Sequence, residues 1–274
     1  MKKLLGAIAA LAMTVGLAAC GTPANQGTTN PNQLVVGMEA GYPPFNWTQN
    51  DDSNGGVKIQ GTNQYAGGYD VEIAKLVAQK LGKELVIVKT EWDGLTPALI
   101  SGKIDAIIAG MSPTEERKAT IDFTDSYYDS QLVLVVKKGS KYEKATSLAD
   151  FAGAKVTAQL NTFHYSVIDQ IPGVDKQAAM DNFPAMRVAL QAGTIDAYVS
   201  ELPEAQSAQS ANSDFVMVKL TDGFKASPED TQTAVGVKKD SPLTKEINEA
   251  LKTISSEERQ QIMQEAIKNQ PAAE

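Results

Sequence analysis

The nine residues Ala98-Leu99-Ile100-Ser101-Gly102-Lys103-Ile104-Asp105-Ala106 return as Ala189-Leu190-Gln191-Ala192-Gly193-Thr194-Ile195-Asp196-Ala197, with six identities at an offset of 91. A chain that repeats itself over such a distance is built from two similar lobes. Each copy reads as the end of an amphipathic helix, a Gly just past it where a left-handed backbone carries no Cβ penalty, and a buried strand opening at Ile-Asp-Ala. That is half of a βαβ unit. In open parallel sheets ligands bind beyond the carboxyl ends of the strands, so chemistry is to be sought just past each Ile-Asp-Ala strand. The offset sets Gly110 in the first lobe against Glu201 in the second. A backbone turn and a carboxylate are then expected to face each other across a cleft.

The 274 residues, 42% of them hydrophobic, suit one or two globular domains with sizeable cores. The N-terminal stretch stands outside them. Lys2 and Lys3 precede an apolar run from Leu4 to Ala19, the length of a signal-peptide core and marginal for a membrane span. The run ends in Leu17-Ala18-Ala19-Cys20-Gly21, which resembles a bacterial lipobox. That resemblance implies cleavage before Cys20 and a diacylglyceryl group on its sulfur, with palmitate as an added acyl chain. Cys20 is the sole cysteine, which fits a lipid site better than half of a disulfide in an exported protein. The plainer alternative is an ordinary secretory signal with an incidental Cys. Residues 1–19 are thus expected to be a signal peptide, and 20–33 a lipidated Cys with a flexible polar tether. Net charge is −8, and loss of Lys2 and Lys3 would leave 23 basic residues against 33 acidic. No nucleic-acid partner is expected, since phosphate binding needs a basic face.

Residues 34–38 read as a buried strand, followed by an aromatic loop carrying Glu39, Tyr42, Phe45 and Trp47. Residues 49–64, rich in Asn, Asp and Gly, read as a surface hairpin or loop. Asp70 is the expected N-cap of a helix to Leu81 that Gly82 stops. A strand at 85–88, a helix at 96–100, a strand at 104–109 and a short helix from Pro113 complete a β-α-β-α-β order, the pattern of a parallel sheet covered on both faces. The run 132–136 is expected to carry the chain into the second lobe. There 155–158, 163–171, 186–192 and 195–199 repeat the theme, and 234–237 returns. Ile247, Leu251, Ile254, Ile262, Met263 and Ile267 mark one or two amphipathic helices docked on the first lobe. The expected division is 34–129 plus 233–274 for the first lobe and 130–232 for the second, with the two crossings as a hinge.

Ser112-Pro113-Thr114-Glu115 fits a capping box with Pro at the first helical position, so a helix N-terminus with free N–H groups is expected here. Arg117 follows in its first turns; its guanidinium fork matches a carboxylate, although a surface Arg beside Glu115 and Glu116 would read the same way. Glu201 precedes Leu202-Pro203 and is either a helix-start charge or the partner of a ligand ammonium. Tyr42, Phe45 and Trp92 are cleft walls or ordinary core aromatics. Glu39 lies at a strand carboxyl end, where it could neutralise a cationic side chain. Catalytic machinery is sparse. His164 is the only His and reads as a helix-surface residue; no Cys serves as a nucleophile, and no Gly-rich phosphate loop occurs. No cofactor and no metal are expected.

Over about residues 34–268 the chain resembles the polar-amino-acid solute-binding proteins of ABC importers, the type that binds lysine, arginine and ornithine, or glutamine. The resemblance is carried by Tyr42-Pro43-Pro44-Phe45, Gly68-Tyr69-Asp70-Val71-Glu72-Ile73-Ala74, Trp92-Asp93-Gly94-Leu95, the Gly102-to-Ala106 phrase, Gly110-Met111-Ser112-Pro113-Thr114 with Arg117, and Phe123-Thr124-Asp125-Ser126-Tyr127-Tyr128. It implies an α/β, two-lobed periplasmic-binding-protein-like fold of type II, each lobe a mostly parallel sheet flanked by helices. It implies that Arg117, Ser112, the Gly110 backbone and Thr162 hold a ligand α-carboxylate and that Glu201 takes the α-ammonium. Tyr42 and Trp92 would then sandwich the ligand side chain, with Glu39 at its distal end. Three departures bear on the pocket: Glu201 where the family commonly has Asp, Leu160-Asn161 where it has Gly and Ser or Thr, and Phe163 in place of a polar residue. The implied protein is a monomeric, lipid-anchored binding protein on the extracytoplasmic face of a Gram-positive membrane. It would pass an amino acid, arginine first and lysine next, to an ABC permease. Glutamine or another neutral polar amino acid is the alternative ligand, and a cyclohexadienyl dehydratase-like enzyme on the same fold is the alternative activity.

Overall fold

The computed structural model describes residues 30–271. The expected signal peptide, Cys20 and the tether up to residue 29 lie outside the described residues.

Two five-stranded sheets and one small four-stranded sheet make the frame. In the first lobe the β-branched run Gln33–Met38 lies between Glu84–Lys89 and Ala106–Ile107, parallel to both. Gln232–Val237 and Asp122–Asp129 continue that sheet in antiparallel pairing. The second lobe orders Asp175–Lys176, Lys155–Thr157, Ala197–Glu201, Leu132–Lys137 and Phe215–Val218, with the first three parallel and the rest antiparallel. The small sheet runs Gly41–Tyr42, Asn46–Gln49, Tyr65–Gly67 and Val57–Lys58. It spans both the aromatic loop and the stretch 49–64 read as a hairpin or loop.

The repeat has a structural counterpart in detail. Helices Leu95–Ser101 and Phe183–Ala192 both end on a left-handed Gly, Gly102 at φ 79° and Gly193 at φ 74°, whose N–H groups return to Ala98 and Leu99 and to Ala189 and Leu190. Three residues further the two aspartates play matching parts. The Asp105 carboxylate accepts the Val35 N–H at 2.9 Å, and the Asp196 carboxylate accepts the Lys155 N–H at 2.9 Å. Each thus fastens the incoming strand of its lobe to that lobe's first parallel strand.

The chain leaves the first sheet at Asp129, enters the second at Leu132, and returns at Gln232. The Ser130 N–H donates to the Thr231 carbonyl at 2.9 Å, so the two crossings are tied side by side. One apolar core fills the first lobe and runs on into the face of the second sheet that carries Val133, Val135 and Tyr198. The opposite face, with Leu134, Val136, Val156 and Val199, has a separate core around Phe151 and Ile168.

Three local expectations are corrected. Gly68, not Asp70, caps the helix Tyr69–Lys80, and Asp70 turns inward from its first turn to accept the Tyr127 hydroxyl at 2.7 Å and the Asn46 amide at 2.8 Å. The inward position wins because the buried hydroxyl and amide offer two donors where a cap has one. The short helix is Glu115–Lys118, capped by Thr114 rather than Ser112, because the Ser112 hydroxyl is taken by the Asp230 carbonyl at 2.9 Å. The C-terminal helix Ser256–Asn269 buries Met263 and Ala266 in the first core, but just past its end Gln270 bonds Ser207 on the second-lobe helix Leu202–Ala211. It bridges the lobes rather than belonging to one.

Candidate functional site

The cleft between the lobes narrows to a cavity of about 10 Å3 lined by Tyr42, Trp92, Gly110, Ser112 and Arg117 from one side and Gln159, Thr162, Phe163, His164 and Phe183 from the other. Beyond Arg117 and Trp92 it opens to a wider groove of about 840 Å3. The cavity thus gathers six of the residues expected at a ligand. Glu39 and Glu201 stand behind its wall, each touching a residue that lines it: Glu39 through Gln159 and Glu201 through His164.

Gly110 sits where the repeat puts it, just past the first-lobe strand, at φ 62°. A Cβ there would stand 2.7 Å from Cε1 of Tyr42, so both the left-handed turn and the close approach of that ring require Gly. The Gly110 N–H donates to the Tyr127 hydroxyl at 3.2 Å, and that hydroxyl donates to Asp70. Burial pushes the Asp70 carboxyl up to about 7, against the pull of its Tyr127, Asn46 and Gly110 bonds.

Arg117 Nη1 donates to the Ser112 carbonyl at 3.0 Å and Nη2 to the Asn161 carbonyl at 3.1 Å, while the guanidinium carbon lies 5.0 Å from the Trp92 ring centroid. Burial lowers its pKa to about 10, which leaves it cationic at neutral pH. The guanidinium is therefore held by carbonyl oxygens and an aromatic face, with no carboxylate of its own. Asn161, one of the departures from the family pattern, works as a clasp. In the left-handed region at φ 55°, it receives Arg117 and the Trp92 indole N–H (3.4 Å) on its carbonyl and gives its amide to Asp93 at 2.8 Å. Asn tolerates this backbone region better than most side chains. The Thr162 hydroxyl donates to the Gln159 carbonyl at 2.7 Å.

The aromatic arrangement differs from a simple sandwich. Tyr42 is stacked on Phe45 on one side (centroids 4.9 Å) and on Phe183 on the other (4.4 Å, 13° between planes), so its edge and hydroxyl, not a face, meet the cavity. Burial and the nearby Glu201 charge push that phenol well above its usual range. Trp92 spends a face on Arg117. Glu39 is 5% exposed and accepts the Gln159 amide at 3.1 and 3.4 Å; burial pushes its carboxyl up to about 7, with the Gln159 bond opposing. His164 is corrected outright. It is buried, 6% exposed, with Nε2 3.3 Å from Glu201 Oε1, because the helix Phe163–Val167 turns its first residues toward the cleft.

Gln159, His164 and Phe183 were not expected at the site. For Phe183 a signal existed: the offset of 91 carries Trp92 onto Phe183, an aromatic at the equivalent place in each lobe. For Gln159 the offset fails. The strands aligned by the two aspartates, Val35 with Lys155, are 120 residues apart, and that larger offset carries Glu39 onto Gln159. The small sheet inserted in the first lobe accounts for the extra length.

Among the described residues no group of His, Cys, Asp and Glu is placed to hold a metal, and no helix is long and apolar enough to cross a membrane. Two α/β lobes joined by paired crossings, with an arginine and buried carboxylates converging on the cleft, define a binding protein that encloses a small polar solute. The chain belongs to the bacterial extracellular solute-binding proteins, family 3, whose model matches residues 34–269. It is 30% identical over 254 residues, 92% of each chain, to the arginine-binding extracellular protein ArtP of Bacillus subtilis. A substrate-binding protein of an amino acid ABC transporter from Streptococcus pneumoniae, solved with L-arginine, superposes with a TM-score of 0.74 at 27% identity, covering 86% of this chain and 95% of its own. An ancestral arginine-binding protein bound to glutamine superposes at 0.69 with 34% identity, covering 85% and 97%. The family is one of extracellular transport proteins, and these relatives bind solutes.

Proposed function

We propose that the protein captures L-arginine between its lobes and delivers it to an ABC permease in the membrane. The observation that carries this reading is the set of charges around one narrow cavity: Arg117 for a carboxylate, Glu201 for an ammonium, and Glu39 left over for a cationic side chain. Arg117 keeps its guanidinium beside the Trp92 face, where a ligand carboxylate entering from the groove would meet it. Glu39 accepts the amide of Gln159, and a guanidinium is a stronger donor for the same oxygens. The relatives that bind arginine support the same ligand. Binding alone, without catalysis, is the activity.

One observation favours a second ligand. An amide already satisfies Glu39, and the side chain of glutamine ends in an amide; the ancestral relative binds glutamine. Titration calorimetry with arginine, lysine, histidine and glutamine decides between them. Arginine is expected to bind tightest, and glutamine binding with no arginine response would overturn the assignment.

The tether and Cys20 complete the reading: a monomer anchored by a diacylglyceryl group on the outer face of a Gram-positive membrane. Two acyl chains hold a protein at a bilayer far better than one. Cys20→Ala is expected to move the protein from the membrane pellet to the soluble fraction with its melting temperature unchanged. A variant that still pelleted would contradict the anchor.

A further inference from the structure

Glu201 ends the strand Ala197–Glu201 fully buried, and neither carboxylate oxygen has a hydrogen-bond partner. His164 is buried beside it, and both ring nitrogens are likewise unpartnered. Nε2 lies 3.3 Å from Glu201 Oε1, within ion-pair distance but off the angle of a hydrogen bond. The Tyr42 hydroxyl, a further buried polar atom outside strict hydrogen-bond geometry, stands beside the Glu201 carboxylate as a neutral donor and brings no positive charge to it. Folded proteins rarely leave such groups unsatisfied, and here they gather at the wall of the cavity that His164 and Tyr42 line.

A buried carboxylate needs a positive partner or a set of donors. Glu201 has two cations to choose from, the imidazolium of His164 and the ammonium of a bound solute. Holding both would place two positive charges on one carboxylate within an aromatic shell, with the Phe163 and Phe183 rings 4.2 and 6.4 Å from the imidazole. The other charged groups nearby are engaged. Arg117 is held by two carbonyl oxygens, Glu204 is paired with Arg187 at 2.8 Å, Asp70 is bonded to Tyr127 and Asn46, and Glu39 holds Gln159.

We propose that His164 and Glu201 form a proton-coupled receptor for the α-ammonium group of the ligand, in which the arriving ammonium takes the place of the proton carried by the imidazole. The inference rests on the cleft being an amino-acid site. The exchange balances: the imidazolium Nε2–H bond breaks, its proton leaves to solvent, and neutral His164 remains beside a Glu201 carboxylate paired with the ammonium, whose charge is unchanged. The neutral imidazole can then accept from the same ammonium. Glu201 contributes through its length, since its carboxylate reaches the imidazole. Because proton and ligand compete for one place, affinity is expected to fall as the pH is lowered.

The test is titration calorimetry with L-arginine in two buffers of different ionisation enthalpy, near pH 6 and near pH 8, on the native protein and on His164→Asn and His164→Gln. Each is repeated in a Glu39→Gln background, so that the proton of Glu39 is not counted. In the Glu39→Gln background the protein with His164 is expected to release close to one proton per ligand at the lower pH and to bind several-fold more weakly there, and with Glu39 present the proton of that carboxyl adds to the release. Both His164 variants are expected to release none in the Glu39→Gln background and to bind there with little dependence on pH. Proton release retained in the His164 variants of that background, or abolished by Glu39→Gln alone, would overturn the proposal. So would its absence from the native protein, even if neither His164 variant folds. Failure of arginine, lysine, histidine and glutamine to bind at any pH would instead overturn the ligand class on which the proposal rests.

Discussion

Glu39 is the residue on which ligand choice turns. Its carboxylate is buried, accepts one amide, and has no cation at hydrogen-bond distance, so a ligand that brings a guanidinium relieves an existing cost. Glu39→Gln is expected to weaken arginine by about 1.5 to 3 kcal/mol, the range for hydrogen bonds to charged groups, and to alter glutamine binding less. Calorimetry on the variant checks it, and equal losses for both ligands would remove Glu39 from the specificity argument. At this scale the sequence was partly legible. Gly110, Ser112, Arg117 and Thr162 could be placed because motifs fix backbone positions, and the structure sets all four around one cavity. The stacking of Tyr42 on Phe183 and the inward turn of His164 depend on how the second lobe meets the first, which no local pattern encodes.

The repeated helix–Gly–strand element carries a prediction of its own. Asp105 and Asp196 make the same backbone bond in different sheets, so Asp105→Ala and Asp196→Ala are each expected to cost about 1 to 2 kcal/mol in chemical denaturation, and the double variant their sum. A silent variant would show that the bond contributes nothing in that lobe. A second prediction concerns the helix Tyr69–Lys80. Asp70 titrates at about 7 in the folded protein because burial outweighs its hydrogen bonds, against an ordinary value of 3.8. Between those values the folded state keeps a proton that the unfolded state has lost. Its contribution to stability is therefore complete below the lower value and is lost as pH rises through about 7. Glu39 acts in the same direction, from 4.5 to about 7. Urea midpoints are expected to fall as pH is raised across this window, and Asp70→Asn to flatten the slope; a slope unchanged in the variant would contradict the assignment. The periodicity of Val71, Ala74, Val77 and Ala78 revealed the helix, but an Asp near a helix start reads as a cap whether it points out or in.

At the scale of the whole molecule, the lobes meet through the Tyr42–Phe183 stack, the Glu39–Gln159 bonds and the Asn161 clasp, in addition to the tied crossings. Ligand is expected to close the lobes about Ser130 and Thr231. Small-angle scattering checks this as a fall in radius of gyration on saturation with arginine, and an identical curve with and without ligand would argue against hinge motion. The two-lobed plan was legible from the repeat and from the runs at 132–136 and 234–237. The bridging by the C-terminal helix was not, since its apolar face gives no sign that Gln270 reaches Ser207.

The strand order also governs the sequence of assembly as the chain is made. In the first sheet Gln232–Val237 lies between Ala106–Ile107 and Asp122–Asp129, so the gap between those strands stays open until residue 237 has emerged. The second sheet needs nothing beyond Val218. The lobe nearest the N-terminus is thus the last to receive all of its strands, although its first strand is the first to be made.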